Sequence, residues 1–448
     1  MSQIKSENRT KNYIKQIKIS LFFRALAVLA SFFSVPLIIK YLGVERYGVW
    51  STLSSMVSWL VLFDGGIGNG LRNKVSESLA NEDRKEAQSY ISTAYVVVAA
   101  ISFVLMLIFF VVSEYTPWSD VFNVVRVGSQ ELKFAVNVTA IFLIVNFWLS
   151  LVNQVFHGLQ KTSMVVFNQF LSNSVLVLAL LILFYFFEPS LVSLSFFHGA
   201  SLLSSTLILS FWFFRKNKQF IPMTSFFDVK KMKSLTTIGL QFFIIQIAVV
   251  VIFSTDKMLI TQFFGPEYVA SYDVVFKLFS VISLAHGVLI APLWSAYGDA
   301  YYRNDMDWIK KTIKKQFKIY VFVILVTMML AFLSKPIIKL WIGMDFEVDN
   351  ILILAMTIFI LVSTWSNMAG CFLGGIGYVR LGSCYTVATA VMNVPLSYFY
   401  SISLNYGVSG VVFGTITSVA VSAVISPIQV YYFVFSKNKN ELCDRILR

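Results

Sequence analysis

Charge is what this chain has least of. Of its 448 residues only 13% are Asp, Glu, Lys or Arg, whereas 57% are hydrophobic and the mean hydropathy is +0.74. A soluble domain carries about 25% charged residues, so there are too few charges here to coat a water-facing surface, and lipid must be the solvent for most of the chain. Cysteine is nearly absent too. Cys371 and Cys384 lie in or beside apolar runs and Cys443 in a charged tail, with no C-x-x-C or metal-ligand spacing, which excludes a disulfide framework and a zinc site. The three histidines, His157, His198 and His286, have no partner at catalytic spacing. No Walker A motif occurs. Gly65-Gly66-Ile67-Gly68 follows no strand and precedes no Lys-Ser/Thr at phosphate-loop spacing. ATP hydrolysis within the chain is therefore not expected, nor is any cofactor or metal. The first 18 residues are too charged and polar for a cleaved signal peptide, so the first apolar run is expected to be a retained helix.

A spanning helix needs about 20 apolar residues. Candidate spans fall at 19–39, 47–70, 90–113, 133–156, 164–187 and 191–214, then at 236–262, 268–294, 317–340, 350–373, 381–403 and 407–435. The expected fold is an all-α integral membrane protein of about twelve helices. Its expected parts are a cytoplasmic tail (1–18), a six-helix bundle (19–214), a basic cytoplasmic linker (215–235), a second six-helix bundle (236–435) and a second tail (436–448). The longest outer loop runs only from Glu114 to Lys133. A membrane enzyme with catalytic groups on a long loop is thus disfavoured, and the chain is not expected to be an enzyme.

The net charge of +13 could suggest nucleic acid, but a nucleic-acid binder would not be this apolar. The alternation of basic loops explains it better. With the N-terminus placed inside, 27 of the 36 Lys and Arg fall on inner segments. Six (Lys40, Arg46, Arg126, Lys133, Lys335, Lys339) lie at outer ends, and three (Arg24, Lys257, Lys277) lie within spans. The positive-inside rule then places both termini in the cytoplasm.

The chain also resembles itself. Tyr41-Leu42-Gly43-Val44-Glu45 returns as Phe263-Phe264-Gly265-Pro266-Glu267, a shift of 222 residues. The same shift sets Asp64-Gly65 on His286-Gly287 and Asn81-Glu82-Asp83 on Arg303-Asn304-Asp305. Phe156-His157-Gly158 resembles Phe372-Leu373-Gly374 at a slightly smaller shift. Two halves of equal orientation imply a pseudo-twofold axis along the membrane normal. This is common in secondary transporters, whose substrate binds in a central cavity between the halves.

Several of these segments carry a family resemblance: Tyr41-Leu42-Gly43 with Tyr47-Gly48-Val49-Trp50, Asp64-Gly65-Gly66-Ile67-Gly68, Asp256-Lys257, Phe264-Gly265 and Val269-Ala270-x-Tyr272. The chain resembles the polysaccharide transporter branch of the multidrug/oligosaccharidyl-lipid/polysaccharide exporter superfamily, including its O-antigen flippases. The resemblance implies a multi-pass protein of the bacterial inner membrane. Its cargo would be an undecaprenyl-pyrophosphate-linked glycan, moved from the cytoplasmic to the periplasmic leaflet by alternating access. It also implies polymerase and ligase partners in the same pathway, and a monomeric working unit in the lipid bilayer. A cation-coupled multidrug antiporter of the same superfamily is the rival. Extruding organic cations calls for acidic groups in the cavity, and the within-span balance here is not clearly acidic.

A charged side chain within a span is a functional-site candidate by default. Arg24, Lys257 and Lys277 are the candidate cavity cations for a pyrophosphate. Arg24 could grip a phosphate in bidentate fashion or snorkel to the inner headgroups. Lys277 sits nine residues into its span, roughly 14 Å along the axis and near the midplane. It could line the cavity or pair with Asp273 one turn earlier. Asp256 and Lys257 are neighbours that cannot pair with each other along a helix, so each is expected to face either the cavity or another helix. Asp64 and its repeat mate His286 are candidates for proton coupling, or for simple hydrogen bonding between helices. Polar stripes (Ser51, Ser54, Ser55, Ser58; Asn168, Gln169, Ser172, Asn173; Thr386, Thr389, Asn393) would line a cavity or cement helices. The spaced glycines 66/70, 370/374 and 410/414 mark close helix contacts.

Overall fold

The structure, a computed structural model, describes residues 2–56, 59, 66–124, 127–236, 247, 250, 254–302, 304–343, 346–378 and 380–435. Asp64 and the tail 436–448 lie outside the described residues. The chain divides into two compact units, and no strand occurs among the described residues. The first unit, Met1–Ile247 with Gly265–Ala270, holds α1 (Ser2–Leu42), α2 (Val44–Ser55), α3 (Ile67–Ala80) and α4 (Arg84–Tyr115). It continues with α5 (Ser129–Gly158), α6 (Thr162–Phe186) and α7 (Leu191–Lys216). The second unit, Ala248–Phe264 with Ser271–Arg448, holds α8 (Asp256–Phe264) and most of α9 (Pro266–Tyr302). Then come α10 (Met306–Ile342), α11 (Asn350–Gly375), α12 (Arg380–Tyr398) and α13 (Gly407–Phe435).

Among the described residues nine helices are long and apolar enough to cross a bilayer: α1 from Gln16, α4, α5, α6, α7, α9, α10, α11 and α13. Much of the expected spans 47–70 and 236–262 lies outside the described residues. The span expected at 381–403 is present as α12 and the π turn Phe399–Ser403 that extends it. Thr386, Thr389, Asn393 and Ser397 make α12 more polar than the other nine. The chain is an all-helical, multi-pass membrane protein. Only 17% of the most apolar stretch of α4 is buried by protein, so Phe103, Leu107 and Val111 face outward as lipid-contacting groups.

The internal repeat reappears as turn geometry. Gly43 ends α1 and Gly265 ends α8, both with the positive φ that glycine adopts without a Cβ clash (80° and 111°). Glu82 and Asn304, 222 residues apart, share a φ of 61° and 60°. The next residues, Asp83 and Asp305, each cap the following helix, accepting from Glu86 N at 2.8 Å and from Trp308 N at 3.1 Å. Asp83 N donates to Ser78 O and Asp305 N to Ala300 O, both at 2.9 Å. In the third match Lys161 N donates to Phe156 O and Tyr378 N to Leu373 O. These bonds align Phe156 with Leu373, one residue later than the sequence alignment on Phe372.

In lipid, apolar side chains gain nothing by leaving solvent, so helices associate through close contact and buried hydrogen bonds. In the first unit Asn168 donates to Asn153 Oδ1 (3.3 Å) and Thr206 Oγ1 (3.4 Å), and Asn173 donates to Ala27 O (2.9 Å), tying α6 to α5, α7 and α1. Arg46 bonds Glu131 (3.0 Å) and Pro189 O (2.9 Å), while Glu131 also accepts from Leu191 N (2.9 Å). Segment 215–235 lies along α4. Gln88 and Ser89 donate to Ile221 O and Phe226 O, while Ser92 and Thr93 accept from Met223 N and Asp228 N. Phe220 and Leu235 of that segment are buried with Leu71, Val75, Ile91 and Phe156.

In the second unit α13 is the most enclosed span, with 56% of its apolar stretch buried. Small residues let it approach α12 closely: a Cβ at Gly410 or Gly414 would fall on the backbone of Ser401 or Ser397. Gly370 has nothing within 4 Å of such a Cβ. Gly414→Ala is therefore expected to destabilise the protein by about 1–3 kcal/mol through overpacking, and Gly370→Ala to leave it as stable as the parent. Thermal unfolding followed by size-exclusion in detergent checks the pair; equal midpoints would refute the close contact.

Candidate functional site

Four of the candidate charged residues come together in the second unit, where α8 packs against α9, α12 and α13. Asp256 sits in the first turn of α8, where the helix dipole favours an anion. Its buried carboxylate accepts from Tyr272 OH at 3.0 Å and from Thr415 Oγ1 at 3.0 Å. Asn393 donates to Thr415 Oγ1 (3.0 Å), and Thr255 donates to Asn393 Oδ1 (3.4 Å). A chain of hydrogen bonds thus runs from Thr255 through Asn393 and Thr415 to Asp256, joining α12 and α13 to the start of α8.

The next residue, Lys257, points about 100° further round α8, as helical geometry requires, and forms an ion pair with Asp273 of α9. Lys277, half-buried one turn beyond Asp273, lies within electrostatic reach of both: Asp273 attracts it and Lys257 repels it. Two cations and two carboxylates therefore share this region, and the strongest contacts run between elements rather than along α9.

The remaining candidates lie elsewhere. His286 is buried on α9, nine residues or about 14 Å past Lys277, with no hydrogen-bond partner for Nδ1 among the described residues. Arg24 is exposed on α1 of the first unit. Asp64 lies outside the described residues.

Beside the charged cluster, within the same unit, is a cavity of about 450 Å3 between α9, α11, α12 and α13. Ser280, Ser363, Asn367, Thr386, Thr389 and Ser422 supply its polar wall, and Phe276 and Phe359 supply aromatic faces. Tyr272 stacks on Phe276 with ring centroids 5.8 Å apart, so one face of α9 connects the Asp256 network to the cavity. Thr386 and Thr389 are among the polar stripes legible in the sequence, whereas the α11 set is not among them. The signal was available: Ser363, Ser366 and Asn367 recur at the i, i+3, i+4 spacing of one helix face. Asn393, grouped with those threonines in sequence, belongs to the Asp256 network instead.

Comparison with known proteins bears on this arrangement. The model of a family described as "Polysaccharide biosynthesis protein" matches residues 14–296. The chain belongs to that family. A "Putative O-antigen export protein" of Yersinia pseudotuberculosis is 23% identical over 412 residues, 88% of this chain and 90% of its own. A "Putative O-antigen transporter" of Salmonella typhi is 20% identical over 427 residues, covering 90% and 92%. Among solved structures, a multidrug resistance MATE family transporter of the MOP superfamily, in an inward-facing conformation, has a TM-score of 0.77. It is 14% identical, over 96% of this chain and 99% of its own. That likeness speaks to fold: this family member shares the helical architecture of a transporter superfamily.

The ion pair between α8 and α9 invites a direct test. Asp273→Ala would leave Lys257 without its counter-ion in a largely apolar surrounding, a loss of about 3 kcal/mol where such a pair is buried and less with partial exposure. The double variant Lys257→Met/Asp273→Leu should recover most of the thermal stability. A double variant as unstable as the single one would show that the pair does not hold these helices.

Proposed function

We propose that this protein exports lipid-linked glycan units, moving an undecaprenyl-pyrophosphate-linked oligosaccharide from the cytoplasmic to the periplasmic leaflet of a bacterial inner membrane. The observation that carries the reading is the match to proteins named for O-antigen export, which spans nearly the whole of both chains. The basic segments, placed in the cytoplasm by the positive-inside rule, support both termini inside.

Such a cargo joins a pyrophosphate to a polar glycan and a long apolar tail. The carrier must offer cations to the first, hydrogen bonds to the second and an opening to lipid for the third. In this reading Lys277 and Lys257 attract the pyrophosphate and Asp273 holds the local charge in balance, while Arg24 is a candidate cation of the first unit. Alternating access of the two units would carry the polar part across the apolar barrier. No nucleotide motif lies in the chain, so the driving force would be an ion gradient or consumption of the glycan on the far side. Proteins that polymerise or ligate the glycan would be its functional partners.

A multidrug antiporter is the second reading, favoured by the fold likeness to a MATE transporter. Against it stands the pairing of Asp273 with Lys257, which leaves that carboxylate balanced by a cation of the protein.

Deleting the gene in the native bacterium should make lipid-linked glycan accumulate on the cytoplasmic leaflet, and restoring it should reverse this. Lys277→Ala should abolish the reversal while reaching the membrane at the parent's level. If glycan still arrives outside in a strain with no redundant flippase, and the protein instead expels lipophilic cations, the export reading is wrong. If Lys277→Ala rescues like the parent, export stands and the cation assignment fails.

A further inference from the structure

The cavity of the second unit differs in chemistry from the charged cluster next to it. We infer that it is a binding subsite for a neutral, hydroxyl-rich ligand, a sugar ring of the glycan cargo, recognised separately from the pyrophosphate. The inference rests on the export reading above and adds what the site recognises.

Size and shape come first. A cavity of about 450 Å3 falls within the roughly 300–1,000 Å3 range of small-molecule sites, which combine apolar walls with a few polar groups. Among the described residues its lining contains no charged side chain.

The direction of the polar groups then narrows the ligand. Ser280 donates to Lys277 O, Thr386 to Gly382 O and Thr389 to Tyr385 O, each at 2.7 Å. Their hydroxyl protons are committed to the helix backbone, so what these groups retain is oxygen lone pairs. Two further side chains, Asn367 and Ser283, line the cavity and have no hydrogen-bond partner among the described residues. Asn367 adds two N–H donors and a carbonyl acceptor, and Ser283 a hydroxyl that can act either way. The wall is therefore rich in acceptors with a small, free donor set, and beside it the rings of Phe276 and Phe359 pack on each other with centroids 6.4 Å apart.

Each ligand class meets this wall differently. A phosphate or carboxylate brings acceptors only and would face acceptors, leaving its charge desolvated without donors enough to satisfy it. An organic cation would find aromatic faces but no carboxylate among the described lining residues, and Lys277, a cation, stands one turn before Ser280 on α9. A purely apolar molecule would strand Asn367. A sugar supplies hydroxyls that donate to the bound oxygens and accept from Asn367, and its C–H face lies against an aromatic ring. Lys277 and Ser280 are three residues apart, about 4.5 Å along the axis. One helix can therefore present a cation to the pyrophosphate and hydroxyls to the adjoining sugar.

The test uses the full-length protein in lipid nanodiscs with three probes. These are the lipid-linked repeat unit extracted from the source bacterium lacking this gene, bare undecaprenyl pyrophosphate, and tetraphenylphosphonium. The parent should bind the sugar-bearing lipid at least about tenfold more tightly than the bare carrier, the effect of one or two well-placed hydrogen bonds. Asn367→Leu should erase that preference without weakening the bare carrier. Asn367 is exposed and has no hydrogen-bond partner among the described residues, so its replacement is expected to leave the fold intact. Thr386→Val, which keeps the shape and removes an acceptor, should reduce the preference in part. A preference unchanged in both variants, or no preference in the parent, overturns the subsite while export stands. Binding of tetraphenylphosphonium with neither lipid bound overturns the export reading as well.

Discussion

Lipid offers no hydrogen-bond partner to a peptide N–H or C=O, and everything else in this protein follows from that constraint. Helices satisfy their own backbone, which leaves the turns as the places where polar groups need help. Asp83 and Asp305 cap the helices that follow them, and the bonds from Asp83 N to Ser78 O and Asp305 N to Ala300 O close the helices that precede them. The duplicated turns persist where the spans between them have diverged, because a lipid-facing Leu can be replaced by Phe or Val freely, whereas a positive φ and an N-cap cannot be replaced by most residues.

The same solvent changes how helices hold one another. Burying a leucine against a leucine is no better than burying it against an acyl chain, so specificity falls to small residues and to hydrogen bonds. Gly410 and Gly414 bring α13 against the π turn and α12 respectively, and Asn168, Asn173 and Thr206 knit the helices of the first unit. Many of the polar side chains among the described residues bond to protein. Those that do not, such as Asn367, are correspondingly informative.

The charged groups obey the same logic. Asp256 is held by a tyrosine and a threonine, and Lys257 is neutralised by Asp273. A span can carry such ions because each finds a partner. Beside this charge-balanced cluster lies a hydroxyl-lined cavity, and the proposed cargo likewise has one charged part and one neutral polar part. This is the chemical division within a pyrophosphate-linked glycan.

Composition and hydropathy alone determined that lipid is the solvent and that the chain is helical and multi-pass. The spacing of short motifs exposed the duplication. These are local properties, written in runs of neighbouring residues. The partner of each buried polar group was decided only by the tertiary structure. In sequence Lys277 reads as a cavity-lining cation or as a partner for Asp273 one turn away, yet Asp273 forms an ion pair with Lys257, because the turn at Gly265 folds α8 back onto α9. Thr386, Thr389 and Asn393 read as one stripe, yet two line a cavity and the third joins the Asp256 network. Segment 215–235 reads as a basic linker, yet it buries Phe220 and Leu235 against α3, α4 and α5. In each case the outcome depends on which helix faces meet. Periodicity places a residue on a face, but only the packing of distant segments determines what that face touches.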